Sequence, residues 1–315
     1  MKLTTPIQHA TVRNQIRYSA KVLLLGSCFA ENIGAKLDYY KFKQCINPFG
    51  ILFHPVAIEK LITRAIDETW FTSKDVFFQN QQWYSFEAHS KLSAASSEEL
   101  LAILNRQLRV LKQWLTGATH LVFTFGTAWV YRHIETGAVV ANCHKVPQKE
   151  FSKELLSPDD VSDVLLGIEE KIRAINPKCI MIHTVSPVRH LKDGLIENSR
   201  SKAHLVAGVH EVIRPVKLTH YFPSYEIMMD ELRDYRFYAQ DMLHPNETAI
   251  SIIWNAFNAT WLAPETRSLQ KKIAGIQKGL IHRPFNEASE AYTTFKKDLE
   301  TKISEVLNIL PFVKF

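Results

Sequence analysis

The 315-residue chain has only four cysteines, Cys28, Cys45, Cys143 and Cys179, with no Cys-x-x-Cys pair and no zinc-ligand spacing among them. That sets aside a disulfide scaffold and a structural zinc site; free thiols in a reducing compartment are expected. No block of five or six like charges occurs, and the net charge of +6 is spread along the chain. A nucleic-acid partner is therefore not expected. No apolar run approaches the roughly 18 residues of a membrane span. The opening Met1-Lys2-Leu3-Thr4-Thr5-Pro6 lacks the apolar core of a signal peptide, and the run Val22 to Leu25 is too short for one. A cytoplasmic location without a membrane span is the expectation. No internal repeat or low-complexity segment is present.

What is present is an ordinary globular composition, 46% hydrophobic, enough for one large domain or two small ones. Apolar runs at Lys21 to Leu25, His120 to Phe125 and Cys179 to Val185 read as buried strands, and Val216 to Tyr221 as a fourth. Between them lie helical periods over Ala30 to Lys41, Pro55 to Asp67, Ser96 to Thr116, Pro158 to Asn176 and Asn198 to Val212. A further helix covers Asn246 to Trp261. Alternation of this kind predicts an α/β fold, a mainly parallel sheet covered on both faces in three layers. After Leu262 the alternation stops, and Pro264 to Leu280 and Asn286 to Leu310 read as two helices. We expect an α/β domain over 1–262 and a C-terminal helical extension over 263–315, packed on that domain or on a partner. A homo-oligomer formed through these helices would satisfy the second option.

Two segments carry chemistry. The run Leu23-Leu24-Leu25 stops at Gly26 and is followed by Ser27 and Cys28; far along the chain stands Asp241-Met242-Leu243-His244-Pro245. A strand ending this way delivers small nucleophilic side chains to the edge where open α/β sheets bind ligands. A nucleophile needs a base, and the base an orienting acid. The bland alternative makes Cys28 a buried thiol, Ser27 a helix cap, Asp241 a turn residue and His244 a surface group.

Gly26-Ser27-Cys28-Phe29-Ala30 is similar to the name motif of the GSCFA family, a branch of the SGNH/GDSL hydrolase superfamily. Asn47-Pro48-Phe49-Gly50, Thr184 to Arg189, Tyr221 to Glu226 and Asp241 to Pro245 resemble that family too, in the same order. The resemblance, over roughly residues 20 to 260, implies an SGNH-hydrolase-like, flavodoxin-like fold and acyl transfer from an ester through a covalent acyl-enzyme. No metal and no cofactor is implied. It places Cys28 at the nucleophile position, with Ser27 the nucleophile if the loop is shifted by one residue. It makes His244 the general base and Asp241 its orienting acid. A thiolate at a helix start should have a lowered pKa unless burial outweighs the effect.

The oxyanion hole matches least well. Gly50 fits the superfamily's second block. The third block normally carries an Asn, but here Gly126-Thr127-Ala128-Trp129 puts Ala128 at its position. Asn47 or Asn142 is the candidate replacement donor, with Thr127 a lesser one. Arg189, after the third strand, is placed either to bind a substrate carboxylate or phosphate or to pair with Asp230-Glu231. The tyrosine-rich run Tyr221 to Tyr238 reads as a packed lid or loop. Three functions stay open: an ester hydrolase or acyltransferase on a small-molecule or glycan ester, a binding module that kept the fold, and a scaffold docking a partner through the C-terminal helices.

Overall fold

The computed structural model describes residues 5–8 and 11–315, so most of the opening segment, Met1 to Thr4, lies outside the described residues. In chain order the elements are β1 (Lys21–Gly26), α1 (Cys28–Tyr39), β2 (Lys43–Ile46), α2 (Pro55–Ile66), β3 (Phe77–Gln79), β4 (Gln82–Tyr84), α3 (Ser97–Gly117), β5 (His120–Phe125), β6 (Trp129–His133), β7 (Val139–Val140), β8 (Phe151–Leu155), α4 (Pro158–Ile175), β9 (Ile180–Val185), α5 (Gly194–Val212), β10 (Thr219–Tyr221), α6 (Ser224–Glu226), α7 (Glu247–Trp261), α8 (Thr266–Ile281) and α9 (Glu290–Ile309).

Strands β10-β9-β5-β1-β2 form one parallel five-stranded sheet in that spatial order. The chain builds outward from β1 to β2 on one side and to β5, β9 and β10 on the other. The switch point falls between β1 and β5, the place where doubly wound sheets of this order open a crevice beyond their carboxyl ends. Register aligns those ends: Gly26 lies opposite Thr124, and Phe125 opposite Val185. The mainly parallel sheet expected from the sequence is what the structure has.

Both faces of the sheet are covered because side chains alternate along each strand. Leu23, Leu25, Leu121, Phe123 and Met181 pack with buried residues of α2, α3, α4 and α5. Val22, Leu24, Val122, Ile180 and Ile182 face the other way, with Phe29, Ile33 and Leu37 of α1 and Trp254 and Phe257 of α7. Ile273, Ile276 and Val306 of the last two helices belong to this second cluster, so the C-terminal helices pack on the α/β body. Gln277 Nε2 donates to Tyr39 O at 3.2 Å, fixing α8 against the end of α1.

Some elements differ from expectation. β2 was not foreseen: Lys-Gln-Cys-Ile is short, half-buried and at the sheet edge, so it lacks the apolar run that marks a central strand. β10 is half as long as expected, because Pro215–Lys217 forms a 3₁₀ turn instead. A hairpin (β3, β4) and an antiparallel sheet (β7-β6-β8) fill stretches read as connections. α1 begins two residues early, at Cys28, which puts the thiol on its first turn.

Gly26 makes the tight β1–β5 approach possible. Its φ is +139°, and a Cβ there would lie 2.1 Å from Thr124 O. Gly26→Ala should destabilise the protein by at least about 2 kcal/mol, since it combines backbone strain with a clash against main chain. A lowered denaturant midpoint checks this, and an unchanged midpoint would show that the strands separate at no cost.

Candidate active site

The turn after β1 is held on every side. Gly26 N donates to Asn47 Oδ1 at 2.8 Å, Ser27 N to Thr124 O at 2.9 Å, and Leu52 N to Gly26 O at 2.9 Å. Ser27 is fully buried, and its Oγ accepts from Phe29 N at 3.3 Å as the cap of α1. The hydroxyl is thus committed to the helix. Cys28 is only partly buried, the first helical residue beyond that cap. Burial, and to a lesser extent Glu31, pushes its thiol above the ordinary value, while Lys202 and the N–H groups of Cys28 and Phe29 pull the other way. The expected lowering does not occur: at this helix start desolvation of the thiolate outweighs the helix end.

Asp241 and His244 form the expected pair. His244 Nδ1 lies 2.6 Å from Asp241 Oδ2, and Asp241 Oδ1 accepts from Leu243 N at 2.9 Å and His244 N at 3.0 Å. These bonds, led by the His244 backbone, hold the Asp241 carboxyl down at about 2. The turn is tied to the sheet edge by Arg189 N, which donates to Leu243 O at 3.2 Å. Both side chains are exposed. Among the described residues no hydrogen bond joins His244 to Cys28 or Ser27. Catalytic hydrogen bonds are often loose before substrate binds.

The oxyanion candidates separate clearly. Asn47 is buried at φ +41° with Oδ1 on Gly26 N, and its Nδ2 is buried without a partner. Gly50 N donates to Asn47 O at 2.7 Å, and a Cβ at Gly50 would lie 2.4 Å from His89 Cβ; this glycine serves a turn at φ +75°. Thr127 Oγ1 pairs with Ser201 Oγ at 3.0 Å, and Ala128 is fully buried with its N–H on the same hydroxyl at 2.7 Å. Asn142 Oδ1 accepts from His144 N at 2.8 Å, in a loop bound to Phe86 O. Of these groups, Asn47 alone combines contact with the strand-end turn and an unused donor.

Arg189 does not pair with Asp230 or Glu231. Its guanidinium lies over the rings of Tyr238, at 4.6 Å, and Tyr235, at 5.5 Å, and Nη1 meets Tyr235 Oη at 3.5 Å. The tyrosine-rich run thus packs against this cation as a loop at the strand edge. Among the described residues Arg189 has no carboxylate partner.

This geometry sits within a known family. The model of the GSCFA family matches residues 21–257, and that of the GSCFA domain protein, C-terminal domain, matches residues 273–315. The chain belongs to the GSCFA family. No curated protein matches it. The first match ends within α7 and the second begins within α8, leaving residues 258–272 between them; among the described residues no helix is long and apolar enough to cross a membrane. No group of three or more histidine, cysteine or acidic side chains is arranged for a metal ion among them.

Two residues near these candidates were not foreseen. Lys202, on α5, is 1% exposed, with Nζ on Ser186 O at 2.7 Å. Burial pushes its ammonium down to about 7, against a smaller opposing effect of Cys28. His190 follows Arg189. Its ring meets Phe53 edge-on at 5.2 Å, and its buried Nε2 has no partner. Burial, then the nearby Lys202 and His244, pushes it down to about 3. Lys202 had one available signal: it continues the buried stripe Val212, Val209, Leu205 toward the start of α5 at helical spacing.

The buried imidazoles give the fold a pH dependence. His54, His183 and His190 are pushed from 6.5 to about 4, 3 and 3, each chiefly by burial. They fold neutral, whereas the unfolded chain binds protons there below about pH 6.5. Their contribution is therefore full above that pH and lost as pH falls toward 3. Denaturant midpoints should drop steadily from pH 6.5 to 4, and less so in His190→Gln. A flat profile over that window would show that these rings charge freely in the folded state.

Proposed function

We propose that this GSCFA-family protein is an acyl-transferring enzyme of SGNH type, an ester hydrolase working through a thioester on Cys28. The observation that carries the reading is the placement of Cys28 on the first turn of α1, directly beyond the carboxyl end of β1 at the switch point. A half-buried thiol on the first turn of α1 stands at the same sheet edge as an Asp241-oriented His244, beside an uncommitted buried amide on Asn47. Cys28 is favoured over Ser27 because the Ser27 hydroxyl is fully buried and engaged as a cap. Cys28 Sγ attacks the ester carbonyl carbon, losing its proton to a base at the strand edge, and the oxyanion takes hydrogen bonds from Asn47 Nδ2 and the Cys28 N–H. The carbon–oxygen bond breaks, and the alcohol leaves with that proton. Water then gives a proton to His244 as it attacks the thioester, and His244 returns a proton to sulfur as the carbon–sulfur bond breaks. Small-molecule or glycan esters are the substrate class to try. An acyltransferase would replace the water with an acceptor alcohol.

Steady-state turnover of short acyl esters tests the assignment. Cys28→Ala should abolish it. Ser27→Ala should keep most of it while losing about 1 kcal/mol of stability with the cap. His244→Ala should release one burst of alcohol and then turn over about 10²–10⁴-fold more slowly. Turnover surviving Cys28→Ala but not Ser27→Ala would move the nucleophile to Ser27. Absence of turnover in the folded wild type would favour a binding module, in line with Ala128 at the position of the usual amide.

A further inference from the structure

Arg189, just beyond β9, is a half-buried cation that no acid neutralises among the described residues. A guanidinium drawn out of water ordinarily pairs with a carboxylate. The acidic side chains of the segments around it are engaged elsewhere. Glu226 accepts from Tyr221 Oη at 2.7 Å, Glu231 from Ile7 N at 3.1 Å, Asp234 from Arg236 N at 2.8 Å and Asp241 from His244 N at 3.0 Å. Asp193, in the loop after β9, is bridged to Lys153. Among the described residues the one hydrogen-bond partner of the Arg189 fork is the Tyr235 hydroxyl, at 3.5 Å.

The guanidinium is held in place with most of its donors unused. It lies 4.6 Å from the ring centroid of Tyr238 and 5.5 Å from that of Tyr235. Stacking of this kind fixes the plane of the fork and leaves the N–H groups at its edge able to donate. The Tyr235 oxygen accepts from Arg189 Nη1, so its own O–H remains a donor, on a residue that is 60% exposed. Two sets of contacts tie this cation to the Asp241–His244 turn. Arg189 N donates to Leu243 O at 3.2 Å. Tyr238 bridges Pro245 in an antiparallel pair, and Ala239 N donates to His244 O at 2.7 Å. Arg189, its stacking tyrosine and His244 are thus carried on segments bonded to one another.

We propose that Arg189 and the Tyr235 hydroxyl form an anion-binding subsite beside the Asp241–His244 turn, and that the ester taken by this protein carries a carboxylate or a phosphate. Two parallel N–H groups of the fork match two oxygens of either anion, and the phenol donates to one of them. An uncharged sugar or alkyl group offers the fork no such pair of charged oxygens. Because the stacked fork is already oriented, little side-chain freedom is lost when the anion binds. Calling the ligand an ester rests on the acyl-transfer reading above; the anion subsite does not.

Titration of the full chain with three matched phenols, followed by ligand-observed NMR, tests the subsite: 4-hydroxybenzoate, 4-hydroxyphenyl phosphate and the neutral 4-hydroxybenzamide. At least one anion should bind about tenfold more tightly than the amide, the scale of a charge-assisted pair. The tighter of the two assigns carboxylate or phosphate. Arg189→Gln should cut that preference at least about fivefold. Arg189→Lys, which keeps the charge and loses the fork, should retain only part of it. Equal affinity for all three in the wild type, or a preference that survives Arg189→Gln, overturns the subsite. If Arg189→Gln does not fold, Tyr235→Phe decides: it keeps the ring under the cation and should lower the preference about two- to threefold, and no change there overturns the subsite. The acetyl esters of the same phenols separate this subsite from the acyl-transfer reading. An Arg189-dependent preference in binding with no turnover of any ester removes acyl transfer and keeps the subsite. Turnover with no preference for either anion, in binding or in kcat/KM, does the reverse.

Discussion

The close approach of β1 and β5 at Gly26 is the constraint on which the site depends. With a Cβ there the two strands could not keep their register, and Ser27 N could not reach Thr124 O. That register is what brings the three strand ends level. It lets Asn47 Oδ1 receive Gly26 N from the neighbouring strand and places Cys28 on the first turn of α1. The crevice of a doubly wound sheet follows from topology; the side chains that fill this one follow from a single residue lacking a side chain.

Around that turn the dominant electrostatic effect is desolvation. It raises the Cys28 thiol, lowers the Lys202 ammonium, and keeps His190 neutral. A thiol on a helix start would ordinarily be read as activated by the helix end. Here burial wins over the helix end. Asp241 stands apart: it is exposed, and its acidity comes from two backbone N–H bonds and His244 rather than from burial. Cys28 is half-buried and Lys202 buried, whereas Asp241 and His244 are exposed.

The central strands were legible because helices cover both of their faces, leaving continuous apolar runs such as Leu23-Leu24-Leu25 and the stretch through β9. β2 was not, since a four-residue edge strand with Lys and Gln carries no such run. The Asp241–His244 pair was legible from spacing, because i and i+3 in a turn bring both groups together without help from the rest of the chain. Asn47 was legible only as one donor among several. Its standing depends on an Oδ1 contact with Gly26 that no local pattern encodes. Lys202 was missed because lysine on a helix ordinarily points to water, and Asn198 to Val212 was read only as a helical period, with no buried face assigned to it.

The most direct measurement of the central claim is the mass of the strand-end peptide after rapid quenching of the enzyme with an activated short acyl ester. The account predicts one acyl group, carried by Cys28 and accumulating when His244 is replaced by Ala. An acyl group on Ser27, or an unmodified peptide in a folded protein that binds the ester, would contradict it.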